Sequence, residues 1–243
     1  MPGLNDQWSA VQVRDWFTTL PKQEFVGQKV LLVIPPRTSS TALPLVFDAF
    51  FQEFRPHCWT VDVIVALGDQ PPMSETQISE ALGIEHHERR RLFYQLQLFN
   101  HEWDRNDRLL TLGKLTSSEV AELTMGRLSR EIEVQVNSRI RDYDLLVTLG
   151  PVSSDEVVGL TGGNDLLFPG LAGPDIINAL SQVRDSVSEA TSSSNAAQPI
   201  QSLVDAAAAM IPCARRTINF VISEDGHVQG LFSKHAENNF AGR

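Results

Sequence analysis

Cysteine is scarce in this chain. Cys58 and Cys213 are the two thiols among 243 residues and they form no CxxC pair, which argues against a disulfide framework. Positive charge is also short. Twenty Lys and Arg face thirty Asp and Glu, a formal net charge of −10, and that balance argues against a nucleic-acid backbone as the main partner, because phosphate contacts need clustered cations. The one basic run, His86 to Arg91, reads as the solvated face of a helix. Long apolar runs are missing too. No stretch approaches the roughly 18 apolar residues of a membrane span, and the first thirty residues hold no signal-peptide core. These absences predict a cytoplasmic protein that engages neither nucleic acid nor membrane.

What is present is enough to build a core. Hydrophobic residues make up 42% of the chain, and the length suits one large domain or one domain with a small appendage. Short apolar runs alternate with helix-like segments, which predicts an α/β fold with a mostly parallel sheet flanked by helices. The strand candidates are Lys29–Ile34, Thr60–Leu67, Leu109–Leu112, Leu145–Leu149, Thr217–Ile222 and Val228–Phe232. The last two flank Glu224-Asp225-Gly226, a turn signal that predicts a C-terminal β-hairpin. Helices are expected over Leu43–Phe54, after a Ser74/Gln77 capping box, from Pro174 to about Ser188, and over Gln201–Ile211. The organisation expected is a helical N-terminal extension over 1–28, then one α/β domain over 29–243 with a flexible linker at about 189–199.

In open α/β sheets, ligands sit beyond the carboxyl ends of the strands. The loops after Ile34, Leu67 and Leu149 fall there. The last of them contains Gly159–Gly173, GLTGGNDLLFPGLAG, with five glycines in fifteen positions. Such a loop permits close backbone approach, and the free N–H groups around Pro174–Ile176 would suit an anion. It matches neither GxxxxGK[ST] nor GxGxxG, so the usual nucleotide fingerprints are absent.

A wider order of motifs is more specific. ALGDQPPMSETQISEALG (66–83), Asn100-His101, LTLG (110–113), DLLVTLGPV (144–152), the glycine loop and INFVISEDGHVQGLF (218–232) follow one another along the chain. Together they resemble the N-terminal domain of the nickel-pincer lactate racemase family, over roughly Lys29 to Phe232. The resemblance implies a Rossmann-like domain, followed in family members by a second domain that closes the site. It also implies racemisation of a 2-hydroxy acid. A nickel-bearing pyridinium mononucleotide takes and returns hydride, two histidines exchange the hydroxyl proton, a lysine anchors the cofactor and a third histidine ligates nickel.

This sequence departs from that pattern at the positions that matter. Gln70 stands where the resemblance puts the first catalytic histidine, and Asp155 where it puts the second. Asp165 replaces the anchoring lysine, and Ser181 replaces the nickel-ligating histidine. A substrate-binding segment becomes Arg37-Thr38-Ser39, in which Thr38 alone matches. Gln70 has no useful pKa for proton transfer, and a serine hydroxyl is a poor nickel ligand. The expectation is therefore a divergent, non-catalytic relative without the nickel cofactor, binding a small anion such as a hydroxy acid, or a protein partner. The binding groups would be Thr161, Gly162, Gly163, Asp165 and Gly170.

Two other readings stay open. Asp155 and Asp165 could act as carboxylates in an altered racemase, or together hold a hard cation. Alternatively, the glycines persist for packing, with no ligand. His101 reads as a buried structural residue. His86 and His87 make poor joint ligands, and His57, His227 and His235 lack metal-ligand spacing. Trp8 and Trp16, eight apart, are expected on one helix face.

Overall fold

A computed structural model describes residues 7–36, 42–85, 87–88, 93–153, 163–189 and 197–236. Helix α1 (Ala10–Thr18) precedes strand β1 (Lys29–Ile34), helix α2 (Ala42–Phe54), strand β2 (Thr60–Val65), helix α3 (Glu75–Ala81) and strand β3 (Leu98–Asn100). Strand β4 (Leu109–Leu115), helix α4 (Ser117–Leu123), strand β5 (Ile132–Asn137) and strand β6 (Leu145–Ser153) follow. Helices α5 (Pro174–Glu189) and α6 (Gln198–Ala209) then lead to strands β7 (Ala214–Ile222) and β8 (Val228–Ala236).

Six strands form the main sheet in the order β3-β2-β1-β6-β7-β8. All neighbours are parallel except β7 and β8, which pair antiparallel as the C-terminal hairpin. The Asp-Gly signal does its work at Gly226, where φ is +80°, a value that favours glycine.

Central strands read as unbroken apolar runs because both faces are covered. In β1, Leu32 and Ile34 join one core with α1 and α2, while Leu31 and Val33 join the other with β5, α5 and α6. The alternation of side chains along a strand divides the molecule into these two layers. The first core is rich in phenylalanine, and Phe25 stacks on Phe54 with ring centroids 4.0 Å apart. The expected N-terminal helix contributes Val13 and Phe17, both fully buried in that core, so it shares the core rather than sitting beside it.

Several expectations shift. Leu109–Leu112 becomes part of β4, which leaves the main sheet and pairs antiparallel with β5. Its residues are mostly half-buried, and a central parallel strand needs both faces covered. Strand β3, three residues long, takes the main-sheet edge instead. Strand β2 ends at Val65 and β6 continues to Ser153, because β6 keeps pairing with β7 over nine residues.

Trp8 and Trp16 do not share a helix face. Helix α1 begins after N-cap Ser9, and Trp8 instead donates its backbone N–H to Val228 O at 2.8 Å. Both indoles pack against the phenylalanine-rich core. The α6 helix starts at Gln198, and 190–196 of the expected linker lie outside the described residues. Among the described residues, no helix is long and apolar enough to cross a membrane.

Candidate functional site

The chain leaves β1 in one direction, to β2 and β3, and returns on the other side as β6. Loops that part in opposite directions leave a crevice at the carboxyl ends of β1 and β6. A pocket of about 410 Å³ opens there, lined by Pro36 after β1, by 66–70 after β2, by Asp165, Leu166, Pro169 and Gly170 after β6, and by α5. Helix α5 contributes Ile177, Leu180, Ser181 and Arg184. That i, i+3, i+4, i+7 spacing puts all four on one helix face.

Two loops are fastened to each other at the pocket floor. Gly68 N–H donates to Gly170 O at 2.9 Å. A Cβ on Gly170 would lie 2.7 Å from the Ala66 Cβ and inside contact distance of the Leu166 carbonyl, so the close approach requires glycine there. Gly163 lies deeper. It adopts φ +73°, and a Cβ there would lie 2.7 Å from the Thr217 Cγ2 and against the Thr148 hydroxyl. Next to it, Asn164 donates its side-chain amide to Asp205 Oδ1 at 2.7 Å, tying the turn to α6.

Residues 170–173 run as a strap with a bond at every position. Leu171 O accepts from Asn137 N–H at 2.9 Å, and Gly173 N–H donates to Gln135 O at 2.9 Å. Ala172 O faces His101 Nε2 at 2.8 Å, and His101 Nδ1 lies 3.2 Å from Asn137 Nδ2. His101 is 1% exposed. Burial drives its pKa below the ordinary imidazole value, against smaller upward pulls from the Ala172 carbonyl, Glu102 and Asp104. The imidazole is thus a neutral packing and hydrogen-bonding group at neutral pH.

Of the residues singled out from sequence, Gln70, Asp165, Gly170 and Ser181 line this one pocket. Gln70, Asp165 and Ser181 are exposed on its wall. Gly163 packs beneath the loop instead and does not line the pocket. Arg37, Thr38, Ser39, Asp155, Thr161 and Gly162 lie outside the described residues.

The first turn of α5 is not a pocket element. Asp175 occupies that end, accepting from Arg130 Nη1 at 2.6 Å and from Glu133 N–H at 2.7 Å. The turn is fastened to β5, and Pro174, Asp175 and Ile176 are not among the residues that line the pocket. His87 is exposed and paired with Glu85, and His57 and His227 are half-buried on distant turns.

Sequence reasoning missed Asp69 and Arg184, both on the pocket wall. Asp69 adjoins Gln70, and Arg184 follows Ser181 by three on a helix, so helical spacing was the signal that could have found it. The described wall offers two carboxylates, a guanidinium, an amide and a hydroxyl, and no lysine, histidine or cysteine. Among the described residues, no group of three or more His, Cys, Asp or Glu could hold a metal ion.

Comparison with known proteins agrees with this architecture. The lactate racemase N-terminal domain matches residues 20–192. A crystal structure of a protein from Thermotoga maritima superposes with a TM-score of 0.79 at 22% identity, covering 95% of this chain and 56% of that one. The lactate racemase apoprotein from Thermoanaerobacterium thermosaccharolyticum superposes with a TM-score of 0.67 at 18% identity, covering 98% of this chain and 56% of its own. The chain thus spans a little over half the length of either structure. No curated protein matches it. With the family matched over most of the sequence and the same fold in both solved structures, this chain belongs to the lactate racemase N-terminal domain family.

Proposed function

We propose that this domain keeps the family's ligand pocket without its racemisation chemistry, and that the pocket takes a small monoanion such as a 2-hydroxy acid. One observation carries the reading. Gln70, Asp165 and Ser181 line a single pocket, and at each position the resemblance assigns a role that the residue present cannot fill. Gln70 cannot exchange a proton near neutral pH. Asp165 cannot form the lysine's covalent link, and the Ser181 hydroxyl is a poor ligand for nickel. The nickel-pincer mononucleotide does not fit this donor set.

The charge pattern supports a singly charged ligand. Arg184 is the one cation among the described lining residues, and it sits one helical turn from the Ser181 hydroxyl. A guanidinium suits a carboxylate. Asp69 and Asp165 share the wall, and their repulsion disfavours multiply charged anions such as phosphate or nucleotides.

Thermal melting tests this directly, since a ligand that binds the folded state raises Tm by mass action. Millimolar lactate is expected to raise Tm in the natural chain, phosphate to do so less, and Arg184→Gln to remove the lactate effect. A chain indifferent to lactate, or one stabilised more by phosphate, contradicts the proposal.

A second reading has its own support. Gly163, Gly170 and Gly173 each abut a neighbour that leaves no room for a Cβ. The loop could then persist for packing alone, with the exposed wall as a surface for a protein partner.

A further inference from the structure

We infer that the pocket prefers a monocarboxylate with an apolar tail, branched aliphatic or aromatic, over lactate itself. This rests on the pocket reading above and names the part of the ligand that reading leaves open.

Helix α5 shows the basis most plainly, because its pocket face changes character along the axis. Ile177 and Leu180 come first and are buried, at 8% and 1% exposure. Ser181 and Arg184 follow and are exposed. With a rise of about 1.5 Å per residue, Ser181 sits about 4.5 Å from Arg184 along the axis, and Ile177 about 10 Å. Side chains on a helix lean toward its N-terminus. A carboxylate paired with Arg184 therefore leaves the rest of its ligand running past the Ser181 hydroxyl toward Leu180 and Ile177. Lactate, with one methyl beyond its carbinol carbon, ends before it reaches them.

The loops contribute the same two kinds of group. Asp69, Gln70 and Asp165 are exposed, whereas Ala66 and Leu67 are buried and Leu166 is half-buried. Exposed polar groups thus make the rim of the pocket, and apolar ones its floor.

That floor is fixed by packing on its far side. Ala66, Ile177 and Leu180 belong to the core shared by β5, α5 and α6, and Leu166 packs against the same core. Leu166 also abuts Gly150 on β6, where a Cβ would come within 3.0 Å of the Leu166 Cδ1. A floor held in this way accepts a tail with little cost in ordering. Size agrees with the lining. The cavity of about 410 Å³ falls within the range of about 300–1,000 Å³ that holds drug-sized ligands on largely apolar walls with a few polar groups. Each further methylene buried on the floor is expected to tighten binding by about fourfold.

The test is a calorimetric titration of the full chain with matched acids. 2-Hydroxy-4-methylpentanoate keeps the carboxylate and hydroxyl of lactate and carries an isobutyl group in place of the methyl. It is expected to bind tighter than lactate by about tenfold or more, with a more negative heat-capacity change. Malate, which puts a second carboxylate where the tail would lie, is expected to bind more weakly than lactate. Leu166→Gln makes part of the floor polar, and it should cut the preference for the branched acid severalfold while leaving the affinity for lactate within about twofold. Where that variant fails to fold, the series of acids on the natural chain still decides. Lactate bound as tightly as the branched acid, or malate bound more tightly than either, overturns the inference and leaves the pocket reading standing. If neither lactate nor the branched acid binds, both fall.

Discussion

Gly170 shows how a single missing Cβ can shape a pocket. Its carbonyl accepts from Gly68, and its Cα faces Ala66 and the Leu166 carbonyl too closely for any side chain. Backbone cannot swing aside as a flexible side chain can, so Gly170→Ala must push the strap away from the loop after β2. Overpacking of this kind costs about 1–3 kcal/mol, and a clash with backbone belongs at the upper end. Urea unfolding of Gly170→Ala is expected to show a lower midpoint with an unchanged slope. A midpoint within error of the natural chain would mean that the two loops are not locked as described. The thiols behave differently. Burial raises both Cys58 and Cys213 to about 11, which keeps them protonated and unreactive near neutral pH.

Helix α3 carries the chain away from the pocket wall, and its start is fixed twice. Ser74 accepts from Gln77 N–H and the Gln77 side chain caps Ser74 in return. Just before it, Asn100 clasps the Met73 backbone with bonds of 3.0 and 2.8 Å. Ser74→Ala is expected to cost about 1 kcal/mol, read in urea, and no loss at all would argue that the clasp alone sets the helix start. The capping box was legible in the sequence because it is local, a matter of residues three apart. The clasp was not, because Asn100 and Met73 meet only after β2 and β3 pair. Strands divide the same way. Runs such as KVLLVI announce a central strand by composition, and the Asp-Gly turn announces the hairpin. Strand β3 is three residues long, too short to carry any period. Strand β5 alternates between buried and half-buried residues from Ile132 to Val136, so the period-two signal was present in the sequence and could have been read.

At the scale of the whole molecule, the site emerges from a sheet that changes direction between β1 and β6. Gln70, Asp165 and Ser181 could be picked out from the order of motifs along the chain, since each stands at a fixed place in a recognisable segment. Arg184 could have been found from its helical spacing to Ser181, whereas Asp69 joins the pocket only when α5 lies across the loops after β2 and β6. Gln70, Asp165 and Ser181 and the cavity they line underlie the proposal that this family member binds a ligand without the means to racemise. Metal content and 2-hydroxy-acid racemisation, measured on the full chain co-expressed with the cofactor-building enzymes, test that claim most directly. Neither stoichiometric nickel nor turnover is expected. Nickel bound one to one, with racemisation, would contradict the proposal and would mean that other residues have taken over the roles lost at Gln70, Asp165 and Ser181.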